Sequence, residues 1–217
     1  TDTPSRTMQR LEPAMPISKP MMILPAALMA LTACNGGAGT SAQIDTSPGA
    51  NDAWTRGEIA AVSDDIFQGV RNETATPKAD VPFAGSAGYA GTMQMDIETA
   101  RARSDVAGLI EMDVDFGRDR VTGAMGNFVE ADGERITGTL GLQNGRLDRR
   151  VNSSEVAIFS DFGGRLTGPG GERIDVDGDL SGGFAGRDVG YIGADLDGRV
   201  SVDGAPGSLS GLTALER

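Results

Sequence analysis

Residues 173–184 read RIDVDGDLSGGF, and their polarity alternates without interruption. Ile174, Val176, Gly178, Leu180, Gly182 and Phe184 fall on one parity, and Asp175, Asp177, Asp179 and Ser181 on the other. A helix would scatter such a pattern around its circumference. A strand sends successive side chains to opposite faces, so this stretch predicts a strand with one apolar and one acidic face. The same alternation sets Ile110, Met112, Val114 and Phe116 against Glu111, Asp113 and Asp115. It recurs with Ile136, Gly138, Leu140 and Leu142 against Thr137 and Thr139, and with Tyr89, Gly91, Met93, Met95 and Ile97.

Turn signals punctuate these runs. Asp132-Gly133, Asn144-Gly145, Gly168-Pro169-Gly170-Gly171, Asp197-Gly198 and Asp203-Gly204 are pairs or clusters of the kind that closes hairpins. They predict about eight strands at the regular spacing of an all-β barrel or sandwich. A three-residue unit of apolar, polar, glycine also recurs: VTG at 121–123, ITG at 136–138, LTG at 166–168, VDG at 176–178, and LSG at 180–182 and 209–211. Its glycine shares the apolar face. Inward glycines make room for larger inward neighbours and let strands coil tightly, which favours a closed barrel over an open sheet. Closure also removes exposed edges. The fold expected is all-β, a closed antiparallel eight-stranded up-and-down barrel.

The chain ahead of the barrel reads differently. Residues 21–33, MMILPAALMALTA, are apolar and uncharged, with Lys19 before them. The run is too short for a bilayer span, which needs ~20 residues, and reads as a secretory signal peptide starting at Met15, with residues 1–14 as an upstream leader. Leu31-Thr32-Ala33-Cys34 resembles the bacterial lipobox, and Cys34 is the only cysteine in the chain. That resemblance implies acylation of Cys34, which would then be the mature N-terminus and a membrane anchor. Asn35 in place of Asp favours the outer membrane. The Gly/Ser/Ala-rich stretch 35–52 has the composition of a flexible tether. In 54–72, Ile59, Val62, Ile66, Phe67 and Val70 recur at helical spacing, and Pro77 and Pro82 mark a linker after them. The expected organisation is therefore leader and signal peptide at 1–33, lipidated tether at 34–52, short helix and linker at 53–79, and barrel at 80–217.

Residues 80–217 resemble the C-terminal eight-stranded barrel of transferrin-binding protein B and its small single-barrel relatives. The resemblance rests on DVPFAGSAGYAGTMQM, GLIEMDVDFGRDRVTGAM, ITGTLGL, LSGGFAGRDVGYIGADLDG and the closing GSLSGLTALER, taken in order. It implies a bacterial outer-membrane lipoprotein, displayed at the cell surface, that binds a host protein, a haem protein or an iron carrier. The handle domain and second lobe that contact transferrin are absent, so transferrin itself is not the expected ligand and no binding residue carries over.

Composition narrows the chemistry. The net charge is −12, which disfavours nucleic acid as a partner. The chain has no histidine, which excludes Ser-His-Asp, Cys-His and His-ligated metal chemistry. Glu111, Asp113 and Asp115 could form an acid–base or cation cluster, but alternation puts them on the solvated wall. DVDGDLSGG at 175–183 fails the calcium-loop pattern, since Leu180 and Gly186 stand where Gly and Glu are required. GPGGE at 168–172 lacks the lysine and helix of a phosphate loop and reads as a hairpin turn. Arg118, Arg120, Arg146, Arg149 and Arg150 either line an anion-accepting rim or balance nearby aspartates. Trp54 and Phe67 pack the helix onto the barrel or close one end of it.

The function expected is that of a non-catalytic, monomeric surface lipoprotein serving as a binding module, without a cofactor or a metal. The alternative is a structural envelope lipoprotein. A lipocalin-like interior cavity is a third reading, against which the bulk of Met93, Met95, Phe116 and Phe184 argues for a filled core. An integral outer-membrane barrel would need an apolar outer band with aromatic girdles, and this outer face is acidic.

Overall fold

The computed structural model describes residues 54–100, 102–150 and 153–217. Cys34, the lipobox and the tether lie outside them. The described chain comprises one α-helix, α1 (Arg56–Asn72), a single 3-10 turn (Lys78–Asp80) and nine strand segments. These are β1 (Ser86–Thr99), β2 (Arg103–Asp115), β3 (Arg120–Glu130), β4 (Arg135–Gly138), β5 (Leu140–Asp148), β6 (Ala157–Thr167), β7 (Arg173–Ala185), β8 (Tyr191–Val202) and β9 (Ala205–Glu216). All pairings are antiparallel, and β9 returns to β1 to close the cylinder. β4 and β5 both lie between β3 and β6, so they form one broken stave and the barrel has eight.

The alternation read from the sequence sets the inside. Side chains from every stave join one core, including Met93, Met95, Ile110, Met112, Phe128, Phe162, Leu180 and Leu196. The aspartates between them point outward. Two glycine signals behave otherwise than expected. Asn144-Gly145 is not a hairpin but lies within β5, where Asn144 at φ 53° forms a bulge between Gln143 and Arg146. One extra residue inverts the phase, so that Leu142 and Leu147 both face inward. Asp197-Gly198 lies within β8, paired with Gly178 of β7. A Cβ on Gly178 would stand 2.5 Å from Phe162 Cζ and 2.7 Å from Asp197 O. The glycine pair therefore makes a bed for an inward phenyl ring, and no turn is made. The other three turn signals sit between strands as expected. The run 136–142 keeps its phase but breaks at Thr139, after Gly138 at φ 120°, and Gly138 is exposed.

Helix α1 opens with a reciprocal cap. Thr55 N donates to Glu58 Oε2 at 2.7 Å, and Glu58 N donates to Thr55 Oγ1. The Thr55 amide and hydroxyl, both donating to Glu58 Oε2, hold this carboxyl below its ordinary range. The helix lies on the outer wall. Ile59 is fully buried among Ala107, Leu109 and Val129, with Trp54 and Val62 beside it. Val106 to Ile110 are buried on both faces for this reason, core on one side and helix on the other. Trp54 thus packs helix against barrel, while Phe67 lies under the Arg71 guanidinium at 5.9 Å.

Candidate functional site: the open mouth of the barrel

The two ends of the cylinder are finished differently. At one end, residues 73–85 are no free linker but a strap across the opening. Ala75 bridges Ala185, and Pro77 bridges Glu155. Thr76 N donates to Phe184 O at 2.9 Å, and Lys78 N to Ser154 O at 2.9 Å. Lys78 Nζ donates to the carbonyls of Arg149 and Arg150. Arg149, only 11% exposed, pairs with Asp119 at 2.6 Å, donates to Pro82 O and stacks on Phe83 at 4.7 Å. Val81 of the strap and Val189 join an aromatic cluster in which Phe184 lies 6.2 Å from Tyr89 and 5.9 Å from Phe116. Tyr89 donates its hydroxyl to Val189 O at 2.8 Å, and burial pushes the phenol up to about 12. This end is plugged.

The opposite end has no strap. Hairpins between β1 and β2, β3 and β4, β6 and β7, and β8 and β9 surround a cavity of about 400 Å³. Ile97, Ile136, Ile174 and Val202 form an apolar floor, and Glu130, Asp132, Glu134 and Glu172 stand among the lining. No lysine or arginine is among the described lining residues. Ser104 Oγ donates to Glu130 Oε1, and Gly170 N to Glu172 Oε2 at 2.9 Å. Among the described residues the cup is oily below and anionic above.

Two of its hairpins are copies. Gly133-Glu134-Arg135-Ile136 and Gly171-Glu172-Arg173-Ile174 share the tetrapeptide Gly-Glu-Arg-Ile. Gly133 and Gly171 hold φ of 92° and 90°. In the first hairpin Glu130 N donates to Glu134 O and Gly133 N to Glu130 O. In the second Gly168 N donates to Glu172 O and Gly171 N to Gly168 O, so the loops have one hydrogen-bond scheme. Each copy puts its Glu and Ile into the mouth and turns its Arg away. Arg135 donates to Trp54 O, and Arg173 pairs with Asp175.

The residues singled out from sequence lie elsewhere. Glu111, Asp113 and Asp115 stand on the outer face of β2, and Asp115 pairs with Arg118 at 3.2 Å. The stretch 175–183 is straight strand within β7, and Arg165 and Arg173 hold the Asp175 carboxyl below its usual range. Arg118, Arg149 and Arg150 are balanced by aspartates, and Arg118 and Arg120 line a side recess with Asp119 and Asn144. Arg150 pairs with Asp148, Arg146 stacks on Phe159, and Arg120 stands opposite Arg146 in the ladder. Only 168–172 reaches the mouth, as the turn the sequence predicts. Alternation and turn signals do not single out the mouth carboxylates; the one sequence mark they carry is the repeated Gly-Glu-Arg-Ile. Among the described residues no helix is long and apolar enough to cross a membrane, and no group of three acidic, His or Cys side chains is placed to hold a metal ion.

No family model and no curated protein matches the chain. Among solved structures it is similar to transferrin-binding protein B from Haemophilus parasuis, a vaccine antigen, as a double mutant (17% identity, TM-score 0.46) and a single mutant (17%, 0.44). It is also similar to intact Ap-TbpB with its N and C lobes (16%, 0.44). Each match covers 65% of this chain, which spans only 27% of the first structure and 28% of the other two.

Proposed function

We propose that the chain is a non-catalytic binding lipoprotein of the bacterial outer membrane, anchored through acylated Cys34, whose barrel engages its partner at the open mouth. One observation carries this reading: the interior is filled and one end is sealed by the chain's own strap, while the other keeps an apolar-floored recess. Small-molecule and anchor-residue sites are recesses of this kind, mostly apolar with a few placed polar groups. The charge of the recess favours a protein or cationic ligand over haem, whose propionates would face the mouth carboxylates. The described chain also begins near the mouth, since Trp54 O accepts from Arg135, the residue after Glu134.

Two measurements test this. Labelled palmitate should enter the wild-type chain but not Cys34→Ala, and the labelled chain should fractionate with the outer membrane. Immobilised Cys34→Ala chain should capture a defined host-serum component that the same chain carrying Ile136→Asp does not. Equal capture by both, or none, removes the mouth from the function and leaves a structural envelope role.

A further inference from the structure

We infer that the mouth takes a small organic cation with an apolar tail. The tail would lie on the isoleucine floor and the positive group among the hairpin carboxylates. This rests on the reading that the mouth is the binding face, and goes beyond it in naming the ligand class.

The argument starts from the duplicated hairpin. Gly133 and Gly171 are required by the turn, because a third loop residue in the left-handed region is what closes such hairpins. Ile136 and Ile174 are required by the inward phase of their strands, and Arg135 and Arg173 by partners on the outer wall. The fold makes no equal demand for the two glutamates. Gly170 N binds Glu172, but Glu134 has no corresponding bond to its own loop, where Asp132 Oδ1 accepts the Glu134 amide instead. Yet both line the same recess, joined by Glu130 and Asp132. Four carboxylates lining one opening lower the affinity of anything anionic. They complement a cation held over the floor. The volume of about 400 Å³ lies within the range of roughly 300–1,000 Å³ seen for small-molecule sites. A ligand charged throughout would leave the isoleucines unpaired, and a neutral one would leave the carboxylates unused.

Hexylammonium, hexanol and hexanoate share a tail and differ in charge. Titrated into the full-length chain with labelled isoleucine methyl groups, hexylammonium should shift the Ile97, Ile136 and Ile174 signals. Exposed ion pairs contribute from about 1.4-fold to 5-fold each, so the cation should bind about tenfold more tightly than the anion at low salt. Salt at about 0.5 M should close most of that gap. Glu134→Gln combined with Glu172→Gln should weaken hexylammonium several-fold and leave hexanol unchanged, with unfolding temperature unaltered. If cation and anion bind the mouth equally, the ligand class is wrong while the mouth remains a binding face. If no probe moves those methyl signals, the inference falls, and the serum capture by the Ile136→Asp pair decides separately whether the mouth binds anything.

Discussion

Replacing Gly91 by Ala tests why glycine is so frequent in this barrel. Gly91 faces inward on β1, between Ile110 of β2 and Leu215 of β9. A Cβ there would lie 2.0 Å from Ala214 O and 2.6 Å from Leu215 Cα, both backbone atoms of the neighbouring strand. Carbon–oxygen contacts in sheets settle near 3.3 Å, so β9 would have to retreat by about 1.3 Å. No rotamer change can supply that. One or two ladder hydrogen bonds would stretch beyond use, at about 1 kcal/mol each, and the displaced core would add overpacking strain of about 1–3 kcal/mol. The expected loss is about 3 kcal/mol, or roughly 10 °C in Tm for a domain of this size. Gly141→Ala is the control, because nothing lies within 4 Å of its Cβ position. Its restricted unfolded chain should leave stability unchanged or raised by up to about 1 kcal/mol. Urea melts of the two variants read the difference directly. Were Gly91→Ala to unfold at the same midpoint as Gly141→Ala, close strand approach could not be the reason for the glycines, and the packing account would fail.

Three further outcomes follow from particular contacts. The Tyr89 phenol ionises near 10 when unfolded and near 12 when folded, so the folded state favours the protonated form. Its stabilisation is complete below pH 10 and is lost as pH rises from 10 to 12; alkaline melts should show this fall in wild type and a flatter profile in Tyr89→Phe. Asp161, Asp179 and Asp197 stand directly opposite one another on three adjacent strands. Asp179→Asn should therefore stabilise the barrel by about 0.5 kcal/mol in chemical denaturation, with the gain shrinking in high salt. Arg149→Ala removes the ion pair with Asp119, the donor to Pro82 O and the stack on Phe83. Hydrogen exchange at the Thr76 and Lys78 amides should accelerate at least tenfold, while amides at the mouth keep their protection.

Legibility in the sequence followed physical locality. Alternation is a property of neighbours, so the strands, their inward faces and the closed barrel could be read directly from runs such as 173–184. The cap at Thr55 and the apolar stripe of α1 are equally local. Glycine was ambiguous because one residue serves two purposes. Gly133, Gly171 and Gly204 take positive φ in turns, whereas Gly145 and Gly198 lie in strands pressed against the backbone of a neighbouring strand. A preceding Asn or Asp does not separate the cases. The strap was hidden because nothing in 73–85 records that Val81 will be buried under distant strands. Likewise, Glu134 and Glu172 meet only because up-and-down topology sends alternate hairpins to the same end.

The unequal ends bear on what the mouth is for. If the core served stability alone, both openings would gain from being filled. Val202 lies at the edge of the core and lines the cavity, so Val202→Phe offers a direct test. The larger ring would remove roughly 40 Å² more apolar surface from water, worth about 1 kcal/mol at 25 cal/mol per Å². Natural chains leave such gains unused where a recess is needed for binding. Thermal melts should show Val202→Phe about 3 °C more stable than wild type, and the same variant should no longer shift its isoleucine methyl signals with hexylammonium. A destabilised Val202→Phe would mean that the mouth is already packed, and the case for a preformed binding recess would be lost.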